Sequence, residues 1–207
     1  MQQLRHIYWI GGGSGAGKST IARRIAAEHG LRVYSTDDVM ADHARRSSAD
    51  ECPLLHRFMA MDFDERWVKR TPHVMLETFP WFCGEAFNCI VEDLLRMPRE
   101  QAVIAEGFRL LPPLVQLLLS ESNHAVWLLP TREFRRAVVD SRGGPAWSFL
   151  ARTSDPERAL QNLLQRDRMF TDVLREETAR LDLPVLDVET TTSEDELTRR
   201  VKDAFRL

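Results

Sequence analysis

The segment from Gly12 to Ser19 has the residue types of a loop that binds phosphate. It reads Gly12-Gly13-Ser14-Gly15-Ala16-Gly17-Lys18-Ser19 and matches the pattern G-x-x-x-x-G-K-[ST] at every fixed position. Glycines let consecutive backbone N–H groups turn toward a phosphate, and a helix that begins near Lys18 adds the partial positive charge of its N-terminus. Lys18 would contact the β- and γ-phosphates of ATP, and Ser19 would place its hydroxyl on Mg²⁺. The predicted nucleotide site consists of Gly12, Gly13, Ser14, Gly15, Ala16, Gly17, Lys18, Ser19 and Thr20.

Acidic residues follow two predicted strands, and phosphoryl transfer needs a group that accepts the proton of a hydroxyl. Asp37 and Asp38 come directly after one strand, and Glu106 ends another apolar run just before Gly107. In an open parallel sheet, functional groups lie at the carboxyl ends of the strands. Glu106 would there bind a magnesium water or a substrate hydroxyl. The structural alternatives are that the aspartates cap the next helix and that Glu106 is a solvated strand end.

Three polar residues recur on one face of a predicted helix: Arg158, Asn162 and Arg166. Their i, i+4, i+8 spacing separates them from the leucines, which occupy another face. This is the geometry of a lid helix that lowers cations over a triphosphate. We expect Arg166 to reach the γ-phosphate, with Arg142, in a segment rich in glycine, as the next candidate. A solvated, salt-bridged helix face is the structural alternative for each arginine.

A sheet must position these residues, and strands alternate with helices along the chain. Helical spacing after Lys18 ends at Gly30, a typical C-terminal cap. A long helix over 156–181 is favoured by Asp155 as its cap and Pro156 at its first position. The alternation indicates an α/β fold with a five-stranded parallel sheet covered by helices on both faces. The predicted strands are 5–10, 31–35, 102–105, 125–129 and 185–188.

The phosphate loop and its setting resemble the P-loop kinases, meaning the group of nucleotide, shikimate and gluconate kinases. The resemblance covers most of the chain in the order of elements. The ending of the second strand is most similar to chloramphenicol phosphotransferase, zeta toxin and the kinase domain of polynucleotide kinase. It implies that Lys18, Asp37 and Arg166 are catalytic, with Asp37 acting as the base or holding a magnesium water. The specific positions are the loop 12–20, Ser35-Thr36-Asp37-Asp38, Glu106-Gly107 and the helix around Arg166.

The connection between the second and third strands, about 40–99, is far longer than a crossover needs and predicts a helical insertion. We predict helices over 54–70 and 82–97 within it. In the resembled kinases this region holds the phosphate acceptor. The acceptor-binding candidates are Arg57 and Glu85 of this region, together with Asp38 and Glu106 at the strand ends. Aromatics at this density are more often core than pocket, and as a pocket they favour a ringed or partly apolar acceptor. They are Trp67, Phe79, Trp81, Phe82 and Phe87.

Composition places the chain among single-domain proteins of a reducing compartment. Its 207 residues suit one domain, 1–207, with the insertion and a lid at about 140–170. The three cysteines have neither disulfide nor zinc-site spacing, and we find no secretory signal, so we expect a cytoplasmic protein. A net charge of −3 without a basic stripe argues against a nucleic-acid partner. The expected partner is a small-molecule acceptor, with no membrane and no indication of oligomeric state.

Other classes of phosphate-loop protein lack their characteristic residues here. The Asn/Thr-Lys-x-Asp motif of a GTPase is missing, because Lys69 and Lys202 both follow valine. No predicted strand ends in Asp-Glu, as motor and AAA-type ATPases prefer. We therefore predict an ATP-dependent kinase that transfers the γ-phosphoryl group of MgATP to a hydroxyl of an antibiotic, nucleoside or metabolite. The alternatives are a nucleotide-sugar or polynucleotide-end kinase, and a nucleotide-binding sensor without catalysis.

Overall fold

A sheet of five parallel strands forms the centre of the protein. The computed structural model describes residues 4–207, so residues 1–3, part of the segment searched for a secretory signal, lie outside it. The strands are β1 (Ile7–Gly12), β2 (Arg32–Ser35), β3 (Val103–Glu106), β4 (Ala125–Pro130) and β5 (Val185–Val188), in the order β2-β3-β1-β4-β5 across the sheet. The register pairs Ile10 of β1 with Glu106 of β3. The phosphate loop and Glu106 therefore leave the sheet side by side.

Helices cover both faces of this sheet, as predicted. They are α1 (Lys18–His29), α2 (Met40–Arg46), α3 (Pro53–Ala60), α4 (Phe63–Trp67), α5 (Pro72–Thr78), α6 (Phe87–Arg96), α7 (Pro112–Gln116), α8 (Arg132–Ser141), α9 (Pro156–Arg180) and α10 (Glu194–Phe205). On one face Ile21 of α1 packs with Val201 of α10, and on the other Ile90 of α6 packs with Phe170 of α9. None of these helices is long and apolar enough to cross a membrane.

The first helix predicted in the insertion, 54–70, is two helices in the structure, α3 and α4. The break occurs because Asp62 and Glu65 form a capping box at the start of α4. The backbone N–H of Glu65 donates to Asp62 Oδ1 at 2.7 Å, and the backbone N–H of Asp62 donates to Glu65 Oε2 at 3.0 Å. Two extended residues, Met61 and Asp62, thus separate the two short helices, and the single-helix prediction is wrong.

The second half of the insertion also differs from the prediction. Thr71 and Pro72 lie between the two helices predicted in the insertion, and they begin a further helix, α5, as its N-cap and first helical residue. The helix predicted over 82–97 begins only at Phe87, because Ala86 adopts a left-handed conformation with φ of 57°. The aromatic stretch before Ala86 is therefore a turn rather than part of a helix.

The insertion packs against α9, and the two share a hydrophobic core that includes Trp67, Met75 and Leu163. Asn162 of α9 strengthens this contact, since its Nδ2 donates to the carbonyl oxygens of Trp67 at 3.0 Å and Val68 at 3.2 Å. The insertion is held in this way above the carboxyl edge of the sheet. A cleft of about 480 Å³ separates it from the phosphate loop.

Candidate active site

The phosphate loop, residues 12–20, joins β1 to α1 at the carboxyl edge of the sheet. At Gly12, where φ is 127°, a Cβ would lie 2.1 Å from the carbonyl oxygen of Leu128, so only glycine fits. Gly17, with φ of 81°, is the N-cap of α1. The N-terminus of α1 therefore opens directly onto the loop, which is the arrangement that binds phosphate.

Lys18, Ser19 and Glu106 meet at the base of the cleft. Lys18 Nζ donates to the carbonyl oxygen of Gly13 at 2.7 Å, and burial lowers the pKa of its ammonium. Ser19 Oγ donates to Glu106 Oε1 at 2.9 Å, while Glu106 Oε2 is buried without a partner among the described residues. Burial raises the pKa of Glu106, although the charge of Lys18 opposes the rise. Glu106 is 1% exposed, so the alternative of a solvated strand end is wrong.

Asp37 enters the same cleft from the end of β2. Gly107 lets β2 and β3 end close together, since a Cβ there would lie 1.7 Å from Thr36 Oγ1. The N-cap of the next helix, α2, is Val39, and no side chain caps it, so Asp37 is not a helix cap. Burial raises the pKa of the Asp37 carboxyl, and the nearby charge of Lys18 opposes that rise. The cleft therefore contains two carboxylates and one ammonium beside the phosphate loop.

Two arginines and a carboxylate form a buried cluster on the other side of the cleft. Asp167 Oδ2 accepts from Arg135 Nε at 3.0 Å and Nη2 at 2.7 Å. Its Oδ1 accepts from Arg166 Nε at 3.1 Å and Nη2 at 2.6 Å. The Nη1 atoms of Arg135 and Arg166 are buried without a partner in the described part of the chain. Arg135 borders the phosphate loop, because a Cβ at Gly15 would lie 2.9 Å from its Nη1.

The predicted stripe on α9 divides into three different environments. Arg158 is exposed, Asn162 binds backbone carbonyls of the insertion, and only Arg166 lines the cleft. Arg166 is buried among aromatic rings and is not a solvated cation of a helix face. Arg142 also lines the cleft, with its Cζ 5.2 Å from the ring centroid of Trp147.

The structure separates three acceptor-binding candidates from the cleft. Glu85 caps α3, since its Oε1 and Oε2 accept from the backbone N–H groups of Leu54 at 2.9 Å and Leu55 at 2.7 Å. Arg57 is exposed on α3, and Asp38 is exposed beside Asp37 without lining the cleft. Asp38, Arg57 and Glu85, predicted to bind the acceptor, are therefore not brought together with the other candidates in the cleft.

Sequence reasoning missed three charged residues at or behind the cleft: Arg109, Arg135 and Asp167. Arg109 is 2% exposed and donates to the carbonyl oxygens of Thr36 and Ala86, both at 3.2 Å. Its Cζ lies 4.1 Å from the ring centroid of Trp81, and burial lowers its pKa to about 10. Arg109 thus joins the end of β2 to the insertion. For Arg135 the sequence contained one signal: it lies on the helix that follows β4, and that helix begins at the carboxyl edge of the sheet.

The donor atoms in the cleft fit a magnesium ion. Mg²⁺ prefers oxygen ligands and is usually bound by one or two carboxylates, water and substrate phosphates. Ser19 Oγ, the unpartnered Glu106 Oε2 and the Asp37 carboxylate supply such oxygens. Among residues 4–207, no cluster of three or more His, Cys, Asp or Glu side chains is arranged to hold a metal. A cation here would therefore depend on nucleotide phosphates for part of its coordination.

Comparison with protein families gives a match to AAA_33, described as an AAA domain, over residues 7–144. Despite that description, AAA_33 is a P-loop kinase family, which agrees with the resemblance found in the sequence. A 2-phosphoglycerate kinase from Methanocaldococcus jannaschii is 26% identical over 189 residues, which cover 86% of this chain. The matched region spans only 57% of the length of that curated relative.

Two solved structures share the fold. Deoxyadenosine kinase from M. mycoides with bound dATP superposes with a TM-score of 0.50 at 12% identity, covering 97% of this chain and 100% of that one. An uncharacterized protein from Eubacterium ventriosum gives a TM-score of 0.50 at 15% identity, with 97% of each chain covered. At these identities the similarity supports the predicted α/β P-loop fold alone.

Proposed function

The chain belongs to the AAA_33 family, and we propose that it is a kinase that transfers the γ-phosphoryl group of MgATP to a hydroxyl of a small molecule. The observation that carries the proposal is the convergence of Lys18, Ser19, Asp37 and Glu106 on one cleft beside the phosphate loop. Together they offer groups for a nucleotide phosphate, a divalent cation and a hydroxyl proton. Those are the requirements of phosphoryl transfer.

The phosphate loop and α1 bind the triphosphate in this proposal. Lys18 exchanges its hydrogen bond with the Gly13 carbonyl for contacts with the β- and γ-phosphates. Ser19 and, through water, Glu106 hold Mg²⁺, which neutralises charge on the phosphate oxygens when it is bound. Because the Ser19 hydroxyl donates its proton to the buried Glu106 carboxylate, the lone pairs of its oxygen remain available to the cation.

Asp37 is the proposed base. Its carboxylate takes the proton of the acceptor hydroxyl, and the acceptor oxygen forms a bond to the γ-phosphorus. The bond from that phosphorus to the bridging oxygen breaks, ADP leaves with the electron pair, and Asp37 later releases the proton to solvent. Burial raises the pKa of Asp37, and a base with a pKa closer to the working pH is more effective.

Arg135 and Arg166 are the proposed cations that stabilise the transferring phosphoryl group. Each keeps a buried Nη1 without a partner among the described residues, and Asp167 fixes the remaining N–H groups. We keep residues 140–170 as the proposed lid, because they carry Arg142 and Arg166 and include the positive-φ residues Gly143 and Gly144.

A single-turnover experiment with MgATP tests the proposal, with phosphorus NMR reading both ADP and any phosphorylated acceptor in a panel of alcohols. Asp37→Asn should slow transfer roughly 10²- to 10⁴-fold while MgATP still binds, since asparagine keeps the shape of the side chain and loses its basicity. Asp38→Asn is the matched control, because Asp38 is the adjacent aspartate and lies outside the cleft. Wild-type transfer by Asp37→Asn would refute its role. ATP binding without transfer to any acceptor would favour the sensor alternative.

A further inference from the structure

We infer that the acceptor is an alcohol that carries an aromatic ring, and that the aromatic side chains of the cleft bind this ring while Asp37 meets the hydroxyl. The inference rests on the proposed function, since it names the acceptor class for the same cleft. It narrows the proposed acceptor from any small molecule with a hydroxyl to one chemical class, the aromatic alcohols.

Aromatic rings form the wall of the cleft that faces the phosphate loop. Three of them, Trp67, Phe79 and Trp81, are buried and belong to the core of the insertion. Others line the cleft and are only half-buried, so part of each ring is exposed inside it: Phe58, Phe82, Phe108, Trp147 and Phe149. The sequence left open whether the aromatic residues form a hydrophobic core or a binding pocket, and the structure contains aromatic residues of both kinds. Concave apolar surface of this kind is the usual binding site for an apolar ligand.

The lining of the cleft outside the phosphate loop consists mainly of aromatic and charged side chains. In the described residues its polar groups belong to six charged side chains and three tryptophans, and no Ser, Thr, Asn or Gln is among them. The charged residues are Asp37, Glu106, Arg135, Arg142, Arg166 and Asp167. Apart from these residues and the phosphate loop, aromatic rings provide most of the surface that an acceptor in the cleft would contact.

Arg166 indicates that the acceptor carries a second polar group besides its hydroxyl. Its Cζ lies 4.7 Å from the ring centroid of Phe79, 5.1 Å from Phe82 and 5.2 Å from Trp67. The aromatic rings and Asp167 fix this guanidinium, yet its Nη1 has no partner in the described residues. Nη1 carries two N–H groups, so a carbonyl or carboxylate oxygen beside the acceptor's ring can accept from one while the transferring phosphoryl group accepts from the other.

Binding measurements with three probes test the inference on the full chain, without turnover, in saturating Mg²⁺ and a non-hydrolysable ATP analogue that occupies the phosphate loop. 3-Phenyllactate carries a ring, a hydroxyl and a carboxylate, 3-phenyl-1,2-propanediol lacks the carboxylate, and 2-phosphoglycerate lacks the ring. We expect saturation-transfer NMR to place the phenyl protons of both ring-bearing probes against the protein. We expect calorimetry to give both of them affinities at least roughly tenfold above that of 2-phosphoglycerate. Phenyllactate should bind more tightly than the diol, because it alone has a carboxylate for Arg166.

A pair of variants separates ring recognition from general damage. Phe108→Leu should weaken binding of the ring-bearing probes roughly 3- to 10-fold and leave that of 2-phosphoglycerate unchanged. Phe63→Leu is the matched control, because Phe63 is a half-buried aromatic of the insertion that does not line the cleft. Trp147→Leu repeats the test at a second exposed ring if Phe108→Leu unfolds more easily in urea.

The inference is overturned if 2-phosphoglycerate binds as tightly as the ring-bearing probes, or if neither of those binds at millimolar concentration. It is also overturned if Phe108→Leu weakens all three probes equally. Failure of the proposed function gives a different result. In that case the ring-bearing probes bind with the expected ranking, but no phosphoryl group moves from ATP to any of them.

Discussion

Replacing Asp167 by asparagine tests whether one buried carboxylate holds the two buried arginines of the cleft, Arg135 and Arg166. Two N–H groups of Arg166 donate to Oδ1, and two of Arg135 donate to Oδ2. Asparagine keeps one acceptor oxygen and turns an amide N–H₂ toward the other guanidinium, so two charge-assisted bonds and the neutralising charge are lost. Breaking a buried ion pair by removing one partner costs about 3–5 kcal/mol. We expect Asp167→Asn to lower the free energy of unfolding by that amount.

Urea denaturation followed by circular dichroism measures this change, and thermal unfolding provides a second measurement. At ~2–4 °C per kcal/mol for a domain of this size, Tm should fall by roughly 6–20 °C. Asp172→Asn is the matched control, because Asp172 is an exposed residue of the same helix and its Oδ2 lies 3.9 Å from Arg168 Nε. An exposed pair of this kind contributes only about 0–1 kcal/mol.

The pH dependence of stability gives an independent measurement. Burial alone would raise the pKa of Asp167, but the charges of Arg166 and Arg135 lower it below its ordinary value. A carboxyl with a depressed pKa in the folded state stabilises the protein above its unfolded pKa, and this stabilisation is lost as the pH falls through the folded pKa. Wild-type protein should therefore lose more stability below about pH 4 than Asp167→Asn does. Equal unfolding free energies for Asp167→Asn and Asp172→Asn, or parallel pH profiles, would refute the reasoning.

Three further substitutions test the loop, the base and the strand ends. Lys18→Ala should weaken MgATP binding roughly 10- to 100-fold in calorimetry, because a charge-assisted donor is removed, with stability within about 1 kcal/mol. Asp37→Asn should lower kcat roughly 10²- to 10⁴-fold, and its pH–rate profile should lose the rise that follows deprotonation of a base whose pKa burial has raised. Gly107→Ala should cost about 3 kcal/mol or more in urea, because its Cβ would overlap Thr36, whereas Gly30→Ala, with open space around it, should cost only about 1 kcal/mol. Tight MgATP binding by Lys18→Ala, an unchanged profile for Asp37→Asn or equal costs for the two glycines would contradict these expectations.

The parts of the protein that depend on local sequence could be predicted. The glycines and Lys18 of the phosphate loop form a fixed sequence pattern that corresponds to one backbone conformation. The buried strands are continuous apolar runs, which the sequence shows directly. The break between α3 and α4 was also present in the sequence, because Asp62 and Glu65 have the spacing of a capping box. The apolar residues over 54–70 favoured a single helix, and for that reason the break was not predicted.

Contacts between distant residues could not be predicted from periodicity. Asp167 and Arg135 lie on different helices, 32 positions apart, and only the packing of α8 on α9 makes them a pair. Glu85 caps a helix that begins about thirty positions earlier, so its carboxylate resembled a ligand-binding group until the turn was known. For the same reason, the spacing of Arg158, Asn162 and Arg166 gave their shared face correctly, but not what that face contacts.

The aromatic wall and the phosphoryl-transfer groups come from different parts of the chain. Most of the wall belongs to one continuous segment between β2 and β3, whereas Lys18, Ser19 and Glu106 belong to the sheet and the first helix. Arg109 and Asn162 fasten that segment through its backbone carbonyls, which any sequence supplies. In the proposed kinase, a different segment between the two strand ends would therefore change the acceptor pocket and leave the nucleotide site as it is. A protein engineer could graft such a segment to retarget the proposed activity.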